Sequence, residues 1–243
     1  MQRYFLEESA EAGRTFVIDA KEDVHHIKNV MRQQPGDALV INFTDGTYQA
    51  TIEELSEKVW VRVTEKLELD TELPVHITIA SGLLKNDKYE WMLQKATELG
   101  ASQFLPFQGE FSVVRWDAKK ADKKLERYRK IIKEAAEQSY RQQLPVIEFT
   151  SQLAELNGRF DHLIIAYEES AKHHEQQAFK QAVSRFRRGD RVLLVFGPEG
   201  GLSPKEVAML EGITAGLGPR ILRAETAPLY ALSAISYHME LLD

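Results

Sequence analysis

Two glycine-bearing loops carry the residue types best suited to chemistry. Gly197-Pro198-Glu199-Gly200-Gly201 directly follows Val192-Leu193-Leu194-Val195-Phe196, a continuous apolar run typical of a strand buried on both faces. In open α/β sheets, ligands bind beyond the carboxyl ends of strands. Three glycines in five residues let backbone amides approach such a ligand closely. The segment is not a P-loop, because no Gly-Lys-Ser/Thr follows, and it does not fit Gly-x-Gly-x-x-Gly. Spacing alone leaves a tight strand-to-helix turn equally open. The second loop, Leu217-Gly218-Pro219-Arg220-Ile221-Leu222-Arg223-Ala224-Glu225-Thr226-Ala227, runs into a helix. It sets two arginines, a glutamate and a threonine beside exposed amides; its bland alternative is a loop with surface ion pairs.

Other polar clusters are less promising. His25-His26 suggests a metal, but adjacent histidines point apart and no third ligand stands nearby, so no metal is expected. His173-His174 lies in a polar segment and is expected to be exposed. The chain has no cysteine, which excludes a disulfide scaffold, a thiolate zinc site and a cysteine nucleophile and suits a reducing cytosol.

The elements that must position these loops alternate. Val75 to Ala80, Phe160 to Tyr167 and Val192 to Phe196 read as strands. A helix capped by Asn86 or Asp87 places Met92, Leu93, Ala96 and Leu99 on one face and stops at Gly100. A second runs from about Ala118 to Tyr140, with Leu125, Ile131, Ile132 and Ala135 inward and a basic outer face. Ser203-Pro204-Lys205-Glu206 is a capping box with proline at the first helical position. A last helix from about Thr226 turns Leu229, Leu232, Ile235 and Met239 inward. Strands alternating with helices imply a mostly parallel sheet.

Residues 1–72 differ. Ala38 to Phe43, Thr47 to Leu55 and Lys58 to Val63 read as strands, with a turn at Thr44-Asp45-Gly46 and alternation of Val59, Val61 and Val63. A short helix is expected around Lys21 to Met31. The polar stretch Lys66 to Pro74 sets a domain boundary, giving 1–72 as a small barrel or sandwich and 73–243 as the α/β domain. The whole chain, at 243 residues, suits one or two domains of about 150 residues.

Net charge is −6 and 28% of residues are charged, a globular composition that argues against indiscriminate nucleic-acid binding, DNA included. Its distribution is uneven: residues 1–72 carry a net −7, whereas Arg115 to Lys133 carry 9 basic and 3 acidic residues. The basic run is a solvated helix face or a phosphate-facing strip. The opening residues hold no apolar signal core and no stretch approaches the roughly 20 apolar residues of a membrane span; a cytoplasmic protein is expected.

Phe196 to Gly201 together with Leu217 to Ala227 resembles the paired signature of the SPOUT RNA methyltransferases. Within them the chain is similar to the RsmE family, the 16S ribosomal RNA uridine-N3 methyltransferases. The resemblance covers nearly the whole chain. It includes Gln2-Arg3-Tyr4-Phe5, His25-His26-Ile27, Val30-Met31-Arg32, Pro35-Gly36-Asp37 and Lys85 to Lys88 with Glu90. Gln94 to Gly100, Ser112-Val113-Val114-Arg115 and Glu134 to Ser139 with Arg141 and Pro145 complete it. One departure is Phe111, where the family commonly carries arginine before the serine.

The resemblance implies a C-terminal α/β domain with a deep trefoil knot, a PUA-like N-terminal barrel that binds RNA, and a homodimer. The methyl donor would be S-adenosylmethionine, without metal. Carried over by position, it would lie against Ala166-Tyr167-Glu168, against Gly197, Pro198, Glu199, Gly200 and Gly201, and against Leu217, Gly218, Ile221, Leu222 and Arg223. The partner would be 16S ribosomal RNA in the 30S subunit, met through Arg3, Lys28, Arg32, Lys85, Arg115 and Arg141. Uracil N3 is a poor nucleophile until its proton leaves, so a cation (Arg223) and a base (Glu199 or Glu225) are expected in catalysis. The alternatives are ribose 2′-O methylation and an RNA-binding assembly factor without catalysis.

Overall fold

The computed structural model describes residues 2–169 and 177–242, so His173-His174 lies outside the described residues. The chain divides into two compact units, Met1–Glu72 with Glu137–Leu144, and Leu73–Ala136 with Pro145–Asp243. Each has its own hydrophobic core.

The first unit is a five-stranded sheet of β1 (Arg3–Phe5), β2 (Thr15–Ile18), β3 (Ala38–Phe43), β4 (Gly46–Leu55) and β5 (Val59–Leu67). Its order is β1-β3-β4-β5-β2, parallel at β1–β3 and antiparallel elsewhere. Val59, Val61 and Val63 are wholly buried, as their alternation requires, and pack with Tyr4, Ile18, Ile41 and Ile52. Two irregularities in the β4–β5 register bend the sheet. The expected helix is α1 (Lys21–His25), continued by a π-helical turn over His26–Val30 and ended by Arg32 at φ 53°.

Residues 137–144 belong with this unit, where the sequence reading put them in the second domain. The reason is Arg141. Its guanidinium bonds both oxygens of Glu72 at 2.6–3.0 Å, its side chain is 3% exposed, and its carbonyl accepts from Asn42 Nδ2 at 2.8 Å. Thr71 and Thr47 bond Gln142 in the same way.

The second unit is a six-stranded parallel sheet of β6 (His76–Gly82), β7 (Gln103–Phe107), β8 (Val146–Ile147), β9 (His162–Ala166), β10 (Arg191–Phe196) and β11 (Ile213–Ala215). Its order is β11-β9-β10-β6-β7-β8. The helices are α2 (Lys88–Glu98), α3 (Ala118–Gln138), α4 (Ala178–Val183), α5 (Pro204–Ala208) and α6 (Ala227–Ser236). Core side chains from β6 and β10 meet Tyr89, Met92 and Leu93 of α2 and Leu232 and Ile235 of α6. On α3, Tyr128 fills the inner face and Ile131 is only partly buried. The expected side-chain cap of α2 does not form: Asp87 makes none, and Asn86 stands at φ 55°, turning the chain into the helix instead.

Candidate active site

The parallel sheet sends β9, β10 and β11 in one direction, so their carboxyl ends deliver three loops to one place. Residues 166–169, 197–202, 215–217 and 220–225 of these loops, with Lys88 and Phe111, line a cleft of about 870 Å³, within the range of small-molecule sites. Ala166, Tyr167, Glu168, all of Gly197 to Gly201, Leu217, Ile221, Leu222, Arg223 and Glu225 line it. Gly218 does not. It occupies φ 95° and serves the turn, with the Tyr230 hydroxyl 3.8 Å from where a Cβ would stand.

The glycine loop folds back on itself. A Cβ on Gly197 would stand 2.5 Å from the Gly201 carbonyl carbon and 2.7 Å from the Leu202 amide nitrogen. Gly201, at φ 78°, donates its N–H to Pro198 O at 2.9 Å. The next strand over yields as well, since a Cβ on Gly82 would collide with Pro198. The capping box forms: Ser203 Oγ accepts from Glu206 N–H at 3.2 Å and Glu206 Oε2 from Ser203 N–H at 2.8 Å.

The charged candidates separate. Glu199 accepts the Lys85 N–H at 3.0 Å and so ties the loop to residues before α2. Glu225 is buried and paired with Lys88 Nζ at 3.2 Å, the two side chains 12% and 34% exposed. Arg223 is exposed in the cleft wall, and its guanidinium has no ion pair or hydrogen bond among the described residues. Sequence reasoning missed Lys88 and Phe111 as lining residues. A lysine in the first turn of α2 opposes the helix dipole unless an anion faces it, and that is the local signal for Lys88.

The residues expected to meet RNA differ in exposure. Arg3 is 9% exposed, donates Nη1 to Tyr140 O at 2.9 Å and stacks over the Tyr140 ring; burial lowers its pKa. Arg3 and Arg141 are therefore internal to the first unit, not surface phosphate contacts. Lys28, Arg32, Lys85 and Arg115 are exposed; Lys28 reaches Ser56 O and Arg115 reaches Glu110 O. On the basic helix α3, Lys124 and Arg127 face Glu90. Among the described residues no three His, Asp or Glu side chains are placed to hold a metal, and no helix is long and apolar enough to cross a membrane.

Residues 71–236 match the family model of the RNA methyltransferase domain, and residues 18–63 that of the RNA methyltransferase PUA domain. The chain is 52% identical, over 100% of its own length and 98% of the relative's, to ribosomal RNA small subunit methyltransferase E of Bacillus subtilis. A crystal structure of ribosomal RNA small subunit methyltransferase E from Neisseria gonorrhoeae bound to S-adenosyl methionine superposes with TM-score 0.81 at 26% identity, covering 98% of both chains. A putative methyltransferase from Legionella pneumophila with bound S-adenosyl methionine gives TM-score 0.82 at 28% identity and 97% coverage of each.

Proposed function

The chain belongs to the ribosomal RNA small subunit methyltransferase E family, and from that premise we propose that it methylates N3 of one uridine in 16S ribosomal RNA with S-adenosylmethionine. The observation that carries the reading is the three-loop cleft beyond β9, β10 and β11. Its glycines present amides at close range, and Leu217, Ile221 and Leu222 offer an apolar wall to an adenine. S-adenosylmethionine supplies an electrophilic methyl group on a sulfonium, and no metal is required.

The protein's own residues must make N3 nucleophilic. Arg223, in the cleft wall with no partner among the described residues, stabilises the negative charge that spreads onto the uracil carbonyl oxygens as the proton leaves. Glu225, one of the carboxylates that line the cleft, takes the N3 proton, and Lys88 at 3.2 Å holds its position. Glu199 is engaged with the Lys85 amide and acts as a fastening for the donor loop. The N3 lone pair then forms the bond to the methyl carbon as the carbon–sulfur bond breaks, and the sulfonium charge is discharged.

The same reading takes residues 1–72 with 137–144 as the RNA-binding domain and residues 73–136 with 145–243 as the catalytic domain, with a knotted donor site. Lys28, Arg32, Lys85 and Arg115 serve as RNA contacts. The protein acts in the cytoplasm as a homodimer on the 30S subunit. The test is incubation with S-adenosylmethionine and 30S subunits from a strain lacking the modification, followed by nucleoside mass spectrometry. N3-methyluridine at one position is expected. A methylated ribose, or no methyl group, overturns the reading.

A further inference from the structure

Residues 109–112 stand at the lip of the cleft and are held from several sides. Gly109 N–H donates to Ser112 Oγ at 3.0 Å, and Ser112 N–H donates back to Gly109 O at 3.1 Å. Glu110 N–H donates to Glu206 Oε1 at 2.9 Å. The other oxygen of Glu206 accepts from Ser203, so one buried carboxylate ties this turn to the segment that follows the glycine loop. The two loops also touch directly. A Cβ on Gly200 would stand 2.8 Å from Phe111 Cβ and 3.1 Å from Phe111 O. The backbone beneath Phe111 is thus fixed against the donor loop.

The ring itself is not buried by these contacts. Phe111 is 46% exposed, lines the cleft and makes no ring contact among the described residues. Val113 beyond it is 64% exposed, and exposed Arg115 is pinned through Nη2 to Glu110 O at 3.2 Å. A planar apolar face with a cation close by in sequence suits a nucleotide better than an apolar peptide. An enzyme that alkylates a base edge must take that base out of its stack. The reacting edge must stay free, which leaves only the faces of the base to be gripped.

We propose that Phe111 is the platform on which the target base stacks as it enters the cleft. The inference rests on the reading of the protein as an RNA base methyltransferase and adds the residue that receives the acceptor. Because its turn is held by Glu206, Ser112 and Gly200, the backbone that carries the ring needs no ordering when the base arrives, and it sets the base against the loop that faces the donor. A base–aromatic stack of this kind is worth about five- to hundredfold in binding.

The experiment compares Phe111→Leu, Phe111→Ala and Phe111→Tyr with the unaltered protein on 30S subunits, with donor affinity measured separately by calorimetry. Phe111→Leu keeps an apolar side chain of similar bulk but has no π face. The leucine and alanine variants are expected to raise the KM for RNA about five- to hundredfold. Phe111→Tyr restores it to within about threefold, and donor affinity stays within about threefold in all. A leucine variant that matches the unaltered protein overturns the platform. So does a loss of donor affinity as large as the rise in KM, which makes Phe111 a wall of the donor site. If the unaltered protein transfers no methyl group to small-subunit RNA, the reading beneath falls and the platform with it.

Discussion

Among the described residues Arg223, in the cleft wall, has no ion pair or hydrogen bond through its guanidinium, whereas Glu199 and Glu225 each have a partner. That difference assigns them different losses. Arg223→Ala is expected to lower the methyl-transfer rate about a hundredfold or more, the usual cost of removing a group that meets developing charge. Single-turnover transfer at saturating donor measures it. Glu199→Gln keeps an acceptor for the Lys85 amide and should retain most of the rate in the same assay. Asp190 tests electrostatics away from the cleft. Its carboxyl is held below the usual carboxylate range, first by the Arg187 N–H at 2.8 Å and then by His162 Nε2 at 2.8 Å. The ionised group therefore stabilises the fold above its unfolded value of 3.8, and that contribution is lost as pH falls through the lower folded value. Asp190→Asn should melt below the unaltered protein at about pH 6, with the gap narrowing as pH falls below 3.8; thermal melts across pH read both.

At the scale of elements, the glycine loop 197–201 folds because its backbone packs on neighbouring backbone without side chains between them. Gly197→Ala puts a Cβ 2.5–2.9 Å from Gly201 and Leu202 backbone atoms, which cannot move as a flexible side chain would. It is expected to cost about 1–3 kcal/mol of stability and at least about tenfold in donor affinity, read by calorimetry. These loops were legible in the sequence because their glycines follow apolar runs, and the Ser203 box because capping is local chemistry. Strands β1 and β2 were not. Three or four residues carry too little alternation to show a period, and β1 forms by pairing with β3, 37 positions away. Nor could spacing place Lys88 and Phe111 at the cleft, since tertiary packing alone brings them there. For the same reason Arg3 and Arg141 read as surface cations: only the fold supplies Tyr140 and Glu72 to bury them.

At the scale of the whole molecule, the chain enters the first unit twice, once as residues 1–72 and again as 137–144. The second visit is stabilising. Glu72→Ala removes the carboxylate that meets the buried Arg141 guanidinium on two nitrogens, at an expected cost of about 3 kcal/mol. Denaturant unfolding followed by Trp60 fluorescence in the first unit should show its midpoint fall. The change of pattern suggests a boundary near residue 72, whereas nothing in the sequence signals the return, because residues 137–144 carry no break in composition. That return also governs synthesis on the ribosome. A nascent chain that has emerged through residue 72 still lacks Arg141 and Gln142, the partners of Asn42, Thr47 and Glu72. At about 5–20 residues per second, some 4–14 s of further translation separate the last strand of the sheet from the segment that completes it. Until then the N-terminal unit is open, and the enzyme cannot follow the usual order of one finished domain before the next begins.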